Sequence, residues 1–208
     1  MAFNASKCKV LHIGRNNPRF EYKIDGIIVQ ETDSEKDVGV IYTPNLKPSS
    51  QCEKAAKKAN SMLGQISRCF QFKDKDIFLN LYKRYVRVHL EFSTPAWNPW
   101  MAKDIDLLEK VQVRAVKQIR GLKGKTYEEK LSELNLPSLA ERRKRADMIE
   151  TFKIVKGHNN VDMSTWFQKV NSNGTQTRNS SHPDNLKKPL SETNIRKHFL
   201  KSFKRNYD

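Results

Sequence analysis

The sequence predicts an α+β chain: a small antiparallel sheet leading into a mainly helical bundle, with a poorly ordered basic tail. Three observations carry that prediction. Over the first fifty residues, apolar side chains come in short β-rich runs broken by turn dipeptides. From Ser49 onward they recur three and four apart, the spacing of one helix face. Residues 171–190 are polar and follow neither period. The expected boundaries are residues 1–48 for the strands, 49–157 for the bundle, and 158–208 for a short helix, a polar loop and the tail.

Taken in order, Cys8-Lys9-Val10-Leu11-His12-Ile13 reads as a strand ending at Gly14, and Phe20-Glu21-Tyr22-Lys23-Ile24 alternates up to the turn dipeptide Asp25-Gly26. Ile27-Ile28-Val29 follows, and Val38-Gly39-Val40-Ile41-Tyr42 ends at Pro44-Asn45. This is a hairpin or meander pattern. A first helix opens at Ser49-Ser50 with a serine N-cap, and buries Cys52, Ala55, Ala56, Ala59, Met62, Leu63, Ile66 and Phe70. Asp74 caps a second, in which Ile77, Leu81, Tyr85, Val88 and Phe92 fall within about 80° at ~100° per residue. Thr94-Pro95 and Asn98-Pro99 end it. A third runs from Asp104 to Gly121 with Leu108, Val111, Ala115 and Ile119 on its apolar face. The capping boxes Thr126-x-x-Glu129 and Ser138-x-x-Glu141 open a short helix and then a long one reaching Gly157. A last basic helix is expected over residues 193–205.

Composition narrows the class. The 208 residues include 39 Lys or Arg and 23 Asp or Glu, a net charge of +16. The excess sits beyond the strands: residues 1–50 carry 7 basic and 6 acidic groups, residues 51–160 carry 23 and 13, and residues 161–208 carry 9 and 4. A polyanion is the natural partner of such a surface, and nucleic acid outranks a membrane, because no segment pairs a bulky apolar face with a lysine-rich one. No stretch approaches the roughly 18 apolar residues of a membrane span. No apolar signal core follows Met1, and Cys8, Cys52 and Cys69 form no CxxC, so a reduced, intracellular chain is expected, in cytoplasm or nucleus.

The search for catalytic motifs is mostly negative. There is no G-x-S-x-G, Walker loop or H-E-x-x-H. Two-metal phosphoryl transfer needs carboxylates that hold cations about 4 Å apart. Asp104-x-Asp106 is the nearest pair, and at a helix start its charges favour the dipole. His89 reads as a structural donor. The cations are better organised: Lys83, Arg84 and Arg87 lie opposite the apolar stripe of the second helix, and Lys110, Arg114 and Lys117 do the same on the third. Helices that bury one face and offer cations on the other suit phosphate tracking, although a solvated face of any basic protein reads similarly. Arg142-Arg143-Lys144-Arg145 wraps around its helix, and Arg143 with Asp147 reads as a local pair worth about 0.3–0.5 kcal/mol. Trp97, Trp100 and Trp166 read as core anchors.

Several phrases together resemble the reverse transcriptases of non-LTR, LINE-type retrotransposons, nearest the jockey and chicken-repeat-like clade. Phe3-Asn4-x-x-Lys7-Cys8-Lys9-Val10 with His12 and Gly14 is similar to the segment just after the active site, and Glu35-Lys36-Asp37-Val38-Gly39-Val40 with Leu46-Lys47 to the next strand pair. Arg87-x-His89-Leu90-Glu91-Phe92, Trp97-x-Pro99 and Leu108-Glu109-Lys110-Val111-Gln112-x-Arg114-Ala115 continue in order. So do Tyr127-Glu128-Glu129-x-Leu131 and Ser138-Leu139-x-x-Arg142-Arg143-x-Arg145-x-Asp147-Met148-Ile149. The likeness covers residues 3–157. Thr177-Arg178 and His182-Pro183 extend it, without the family's closing Trp-Asn and Leu-Pro phrase.

The resemblance implies the palm end and thumb of an RNA-directed DNA polymerase, with residues 1–48 a partial palm and 49–157 a thumb-like bundle. Met1 falls on what resembles an interior position of a longer polyprotein, so a truncated copy of a mobile element is expected. The family's catalytic aspartates, on an aromatic-x-Asp-Asp turn that holds Mg²⁺, have no counterpart here, so no cofactor is expected for this chain. Lys7 takes the place of a palm lysine proposed as proton donor to pyrophosphate; by its own context it is a surface lysine in a turn. Residues 39–47, with Lys47, resemble the hairpin that holds a primer end. The expected function is therefore non-specific binding of an RNA or DNA backbone by Lys47, Lys83, Arg84, Arg87, Lys110, Arg114 and Lys117, without polymerase activity. A palm-containing chain in trans is a further partner that the resemblance admits. The alternative is a small basic helical interaction module with no polymerase role.

Overall fold

The computed structural model describes residues 4–169 together with 186 and 187. Helices and short strands are mixed, and the chain divides into two units, Met1–Leu139 and Ala140–Asp208. The expected helix over 193–205 and most of the expected loop over 171–190 lie outside the described residues.

In the first unit the strand-rich start forms separate ladders rather than one antiparallel sheet. β1 (Lys9–Val10) runs parallel to β4 (Gln30–Glu31), while β2 (Lys23–Ile24) with β3 (Ile27–Ile28), and β5 (Glu35–Asp37) with β6 (Val40–Tyr42), are antiparallel hairpins. Both hairpins close on two residues of positive φ: Asp25 at 50° and Gly26 at 79°, then Val38 at 43° and Gly39 at 90°. That is the turn whose twist matches its flanking strands. Val38, expected to open a strand, is a turn residue because Asp37 pairs with Val40. The ladders bury little, and Phe20, Tyr22, Ile27 and Ile28 are all more than half exposed. Strands of two or three residues have too few partners to join into a wider sheet.

The core begins with α1 (Ser49–Cys69), which buries Cys52, Ala55, Ala56, Ala59, Leu63 and Ile66 as its spacing predicts. Its serine cap is absent: Pro48 occupies the cap position without a side-chain bond, and Ser49 turns its hydroxyl to Asp104 instead. α5 (Ala102–Val116) buries Leu108, Val111 and Ala115, and Ile119 is buried just beyond its end, the apolar face read from sequence. The two helices run parallel. Ser49 Oγ donates to Asp104 Oδ2 at 2.7 Å, Arg114 Nη1 to Asn60 Oδ1 at 2.5 Å and Ser67 Oγ to Gln118 Oε1 at 2.5 Å, so partners rise together along both chains.

The second predicted helix is three pieces: α2 (Lys75–Leu81), a π turn over Tyr82–Val86 and α3 (Arg87–Glu91). Asp74 caps it as expected, accepting from the Asp76 N–H. Its buried face is not the expected one. Phe78, Leu79, Tyr82, Val86 and Leu90 enter the core, while Ile77, Tyr85, Val88 and Phe92 are 46–56% exposed. Residues 78, 82, 86 and 90 are four apart, and in a uniform α-helix each such step drifts by about 40°, which smears the stripe on a wheel. The π turn takes more residues per revolution and cancels that drift; the Arg87 N–H bonds to the Tyr82 carbonyl across it. Beyond α3, Ser93 takes φ 53° and α4 (Thr94–Trp97) follows, with Trp97 buried and its Nε1 donating to the Phe92 carbonyl at 2.8 Å.

α6 (Tyr127–Glu133) opens on the capping box read from sequence: Thr126 N–H donates to Glu129 Oε2 at 2.7 Å, and the Glu129 N–H to Thr126 Oγ1 at 3.3 Å. A polar chain ties it to the core. Tyr82 Oη donates to Gln112 Oε1 at 2.7 Å, Gln112 Nε2 donates to Tyr127 Oη at 3.0 Å and to the Pro137 carbonyl at 3.1 Å, and Tyr127 Oη donates to Glu109. Burial raises the pKa of both tyrosines, so they remain donors.

α7 (Leu139–Val155) starts where Ser138 was expected to place it. It stops in the second unit on Gly157 at φ 69°, with Gly157 N–H bonded to Ile154 O and His158 N–H to Lys153 O. Those two bonds make a left-handed glycine cap. Arg143 and Asp147, read as a weak local pair, are both buried, whereas Lys144 and Arg145 are exposed. α8 (Met163–Trp166) leads to β7 (Gln168–Lys169), antiparallel to β8 (Leu186–Lys187). Among the described residues no helix is long and apolar enough to cross a membrane.

Candidate nucleic-acid interface

The parallel pairing of α1 and α5 makes a cationic furrow. On α5, Lys103, Lys110, Arg114 and Lys117 lie within about 60° of one another at ~100° per residue, on the edge turned toward α1. All four are exposed, and Arg114 is held by Asn60. On α1, Lys57 and Arg68 project on the same outer side, beyond Asn60, and both are exposed. Between them Gly64 leaves the floor low: a Cβ there would meet nothing nearer than Arg68 Nη1 at 3.9 Å. Glu53 and Asp106 are exposed at the opposite end, and Asp104 is buried under the Ser49 hydroxyl. The furrow is therefore positive toward the C-terminal ends of both helices, whose dipoles attract cations.

Of the residues read from sequence, Lys110, Arg114 and Lys117 come together here. Lys83, Arg84 and Arg87 do not join them. The Arg87 guanidinium is 3.7 Å from Glu91, and both lie beside the Tyr82 hydroxyl, which bonds to Gln112. Gln112 and Glu109 stand about 140–160° around α5 from Arg114, so Arg87 faces a different side of that helix from Lys110, Arg114 and Lys117. Lys47 is exposed ahead of α1, its N–H bonded to Asn45 Oδ1, about 30 Å along the axis from Arg68. Lys7 is exposed in a 3₁₀ turn over Ala5–Lys7.

Lys57, Arg68 and Lys103 escaped the sequence reading. The signal for Lys103 was present, since Lys103, Lys110 and Lys117 are seven apart. Nothing local announces that α1 will lie alongside α5, and only that pairing adds Lys57 and Arg68. The other residues singled out in the sequence stand apart from the furrow. His89 is half-buried, its pKa lowered by desolvation and by the Lys58 charge. Trp97 is a core anchor, whereas Trp166 is 45% exposed. Asp104 sits in the first turn of α5, and Asp106 lies just beyond it. Among the described residues no three His, Cys, Asp or Glu side chains group as metal ligands do.

Chemically the furrow offers long, flexible cations and no rigid, buried donor pair. Such groups follow phosphates and do not read base edges. No protein-family model, curated protein or solved structure matches this chain.

Proposed function

We propose that this chain binds the backbone of RNA or DNA without sequence preference, through the α1 and α5 furrow. The observation that supports it is the side-by-side placement of Lys57, Arg68, Lys103, Lys110, Arg114 and Lys117. The phrases that resemble a LINE-type reverse transcriptase give that binding an origin: a partial palm and thumb, whose thumb helices follow a duplex. The family's aspartate turn has no counterpart in the sequence, so the chain alone does not extend a primer.

Titration of a labelled 20-mer at two salt concentrations tests this reading. If about five of the six cations meet phosphates, log affinity falls against log salt with a slope near −4 to −5. Affinity then drops roughly 10²–10³ between about 50 and 200 mM salt. Replacing Lys103, Lys110 and Lys117 by Gln leaves Arg114 to hold Asn60, preserves the fold and flattens the slope by about 2–3. Replacing Lys83 and Arg84 changes it much less. A slope that ignores the first set and follows the second places the binding face elsewhere.

A further inference from the structure

The α2 and α3 rod is apolar on two sides, and its own core uses one. The other side presents Tyr85, Val88 and Phe92, and Leu81 at its edge packs partly against the core; the four are spaced four, three and four. Leu81 is partly covered, while Tyr85, Val88 and Phe92 are 50%, 46% and 53% exposed. That spacing is the seam of two packed helices, in which each side chain enters a hole on a facing helix. An amphipathic helix of a lone domain has one apolar stripe; a second, left in water, marks an interaction surface.

The hairpin of β5 and β6 extends the stripe. Gly39 lies against the Phe92 ring so closely that a Cβ would sit 2.9 Å from Phe92 Cε1. Val38 beside it is 85% exposed at φ 43°, a β-branched residue held in a costly conformation with its apolar side chain outward. Strain of that kind persists where a site uses it.

The rim of the stripe is positive. Lys54 Nζ donates to the Gly39 carbonyl at 3.3 Å, and Lys36 is near enough to help lower the Lys54 pKa, after desolvation. Lys58 of α1 is near enough to His89 to help lower its pKa, after desolvation, and the exposed Arg84 falls on the other side of the stripe at ~100° per residue. Asp37 adjoins the hairpin tip and Asp76 the Ile77 end, while Glu91 is turned to Arg87. Cations therefore dominate both flanks of the stretch from residue 81 to 92. A second copy of this chain would set those cations against each other, and residues 161–208 carry 9 basic and 4 acidic groups and so complement them poorly. Bases stack on aromatic faces, but two of the four seam residues are aliphatic.

We infer that the stripe formed by Leu81, Tyr85, Val88 and Phe92, with Val38 at its end, docks one amphipathic helix of a partner protein, apolar on one face and acidic on its flanks. The inference goes beyond the nucleic-acid reading and does not rest on it. The seam supplies the contact, and the rim of Lys54, Lys58 and Arg84 selects the charge and raises the association rate.

Two helical peptides of about 20 residues test it by anisotropy, both with leucine at the four, three, four seam. One carries glutamate on its flanks and the other lysine. The full chain is expected to bind the glutamate peptide at least about tenfold more tightly than the lysine peptide. Val88→Gln, at a half-exposed position, should weaken the glutamate peptide by at least about tenfold while the melting curve is unchanged. The double variant Lys58→Glu and Arg84→Glu should reverse the preference. Replacing Lys103, Lys110 and Lys117 by Gln should leave peptide affinity unchanged, which separates this surface from the furrow. Equal affinity for both peptides overturns the inference, as does indifference to Val88→Gln. So does displacement of the peptide by a thymidine 20-mer, or sedimentation as a dimer that Val88→Gln dissociates.

Discussion

A β-branched side chain at positive φ crowds its own backbone, and Val38 at φ 43° is such a residue at position one of a two-residue hairpin turn. Asparagine tolerates that conformation because its short polar side chain bonds locally. Val38→Asn is therefore expected to stabilise the chain by about 1 kcal/mol, read as a higher urea midpoint at unchanged slope. An unchanged midpoint would show that the turn relaxes without cost. Lys54 bonds to the next residue's carbonyl and leaves the Val38 side chain in water, so nothing in the core opposes the gain. Asp25 holds the same place in the other hairpin at φ 50°, with a side chain suited to it. That contrast was readable in the sequence only once the register was known, since Val38 also fits a strand.

At the scale of elements, caps were legible and faces only partly so. Thr126 and Glu129 are three apart, and both bonds of their box are made. The Thr126 backbone N–H, then its hydroxyl, holds the Glu129 carboxyl below its usual 4.5. A lowered folded value contributes stability above the unfolded value, and that contribution is lost as pH falls through the folded one. Glu129→Gln should accordingly be less stable than the parent at about pH 7, and the gap should shrink toward about pH 3 as the carboxylate takes up its proton. Urea melts at both pH values measure it, and a gap that persists in acid would mean that charge plays no part. The α1 and α5 faces could be read because each has a single apolar stripe. The α2 and α3 rod has two, and a wheel of constant pitch chose the tighter one. The core took the other through its π turn, where Tyr82 reaches Gln112.

Across the whole molecule, protection from exchange should follow burial. Residues 9–42 form ladders of two or three residues with exposed edges, while α1, α5 and the rod between them share one core. Amides of residues 9–42 are expected to exchange at least ~100-fold faster than those of residues 52–66 and 105–116. Similar protection in both would mean that the ladders are joined more firmly than their length allows. The sequence by itself determined the mixed strand-then-helix order, the Asp25-Gly26 turn, the Asp74 and Thr126 caps and the charge excess beyond residue 50. Those features are set by neighbours within a few residues, by periodicity or by counting. Only the tertiary structure decided that the strands pair as isolated ladders, that Ser49 bonds to Asp104 instead of capping, and that Lys57 and Arg68 join the cations of α5. It also decided which apolar side of the rod is buried. Each of those depends on a contact between elements far apart in the chain, whose energy no local pattern contains.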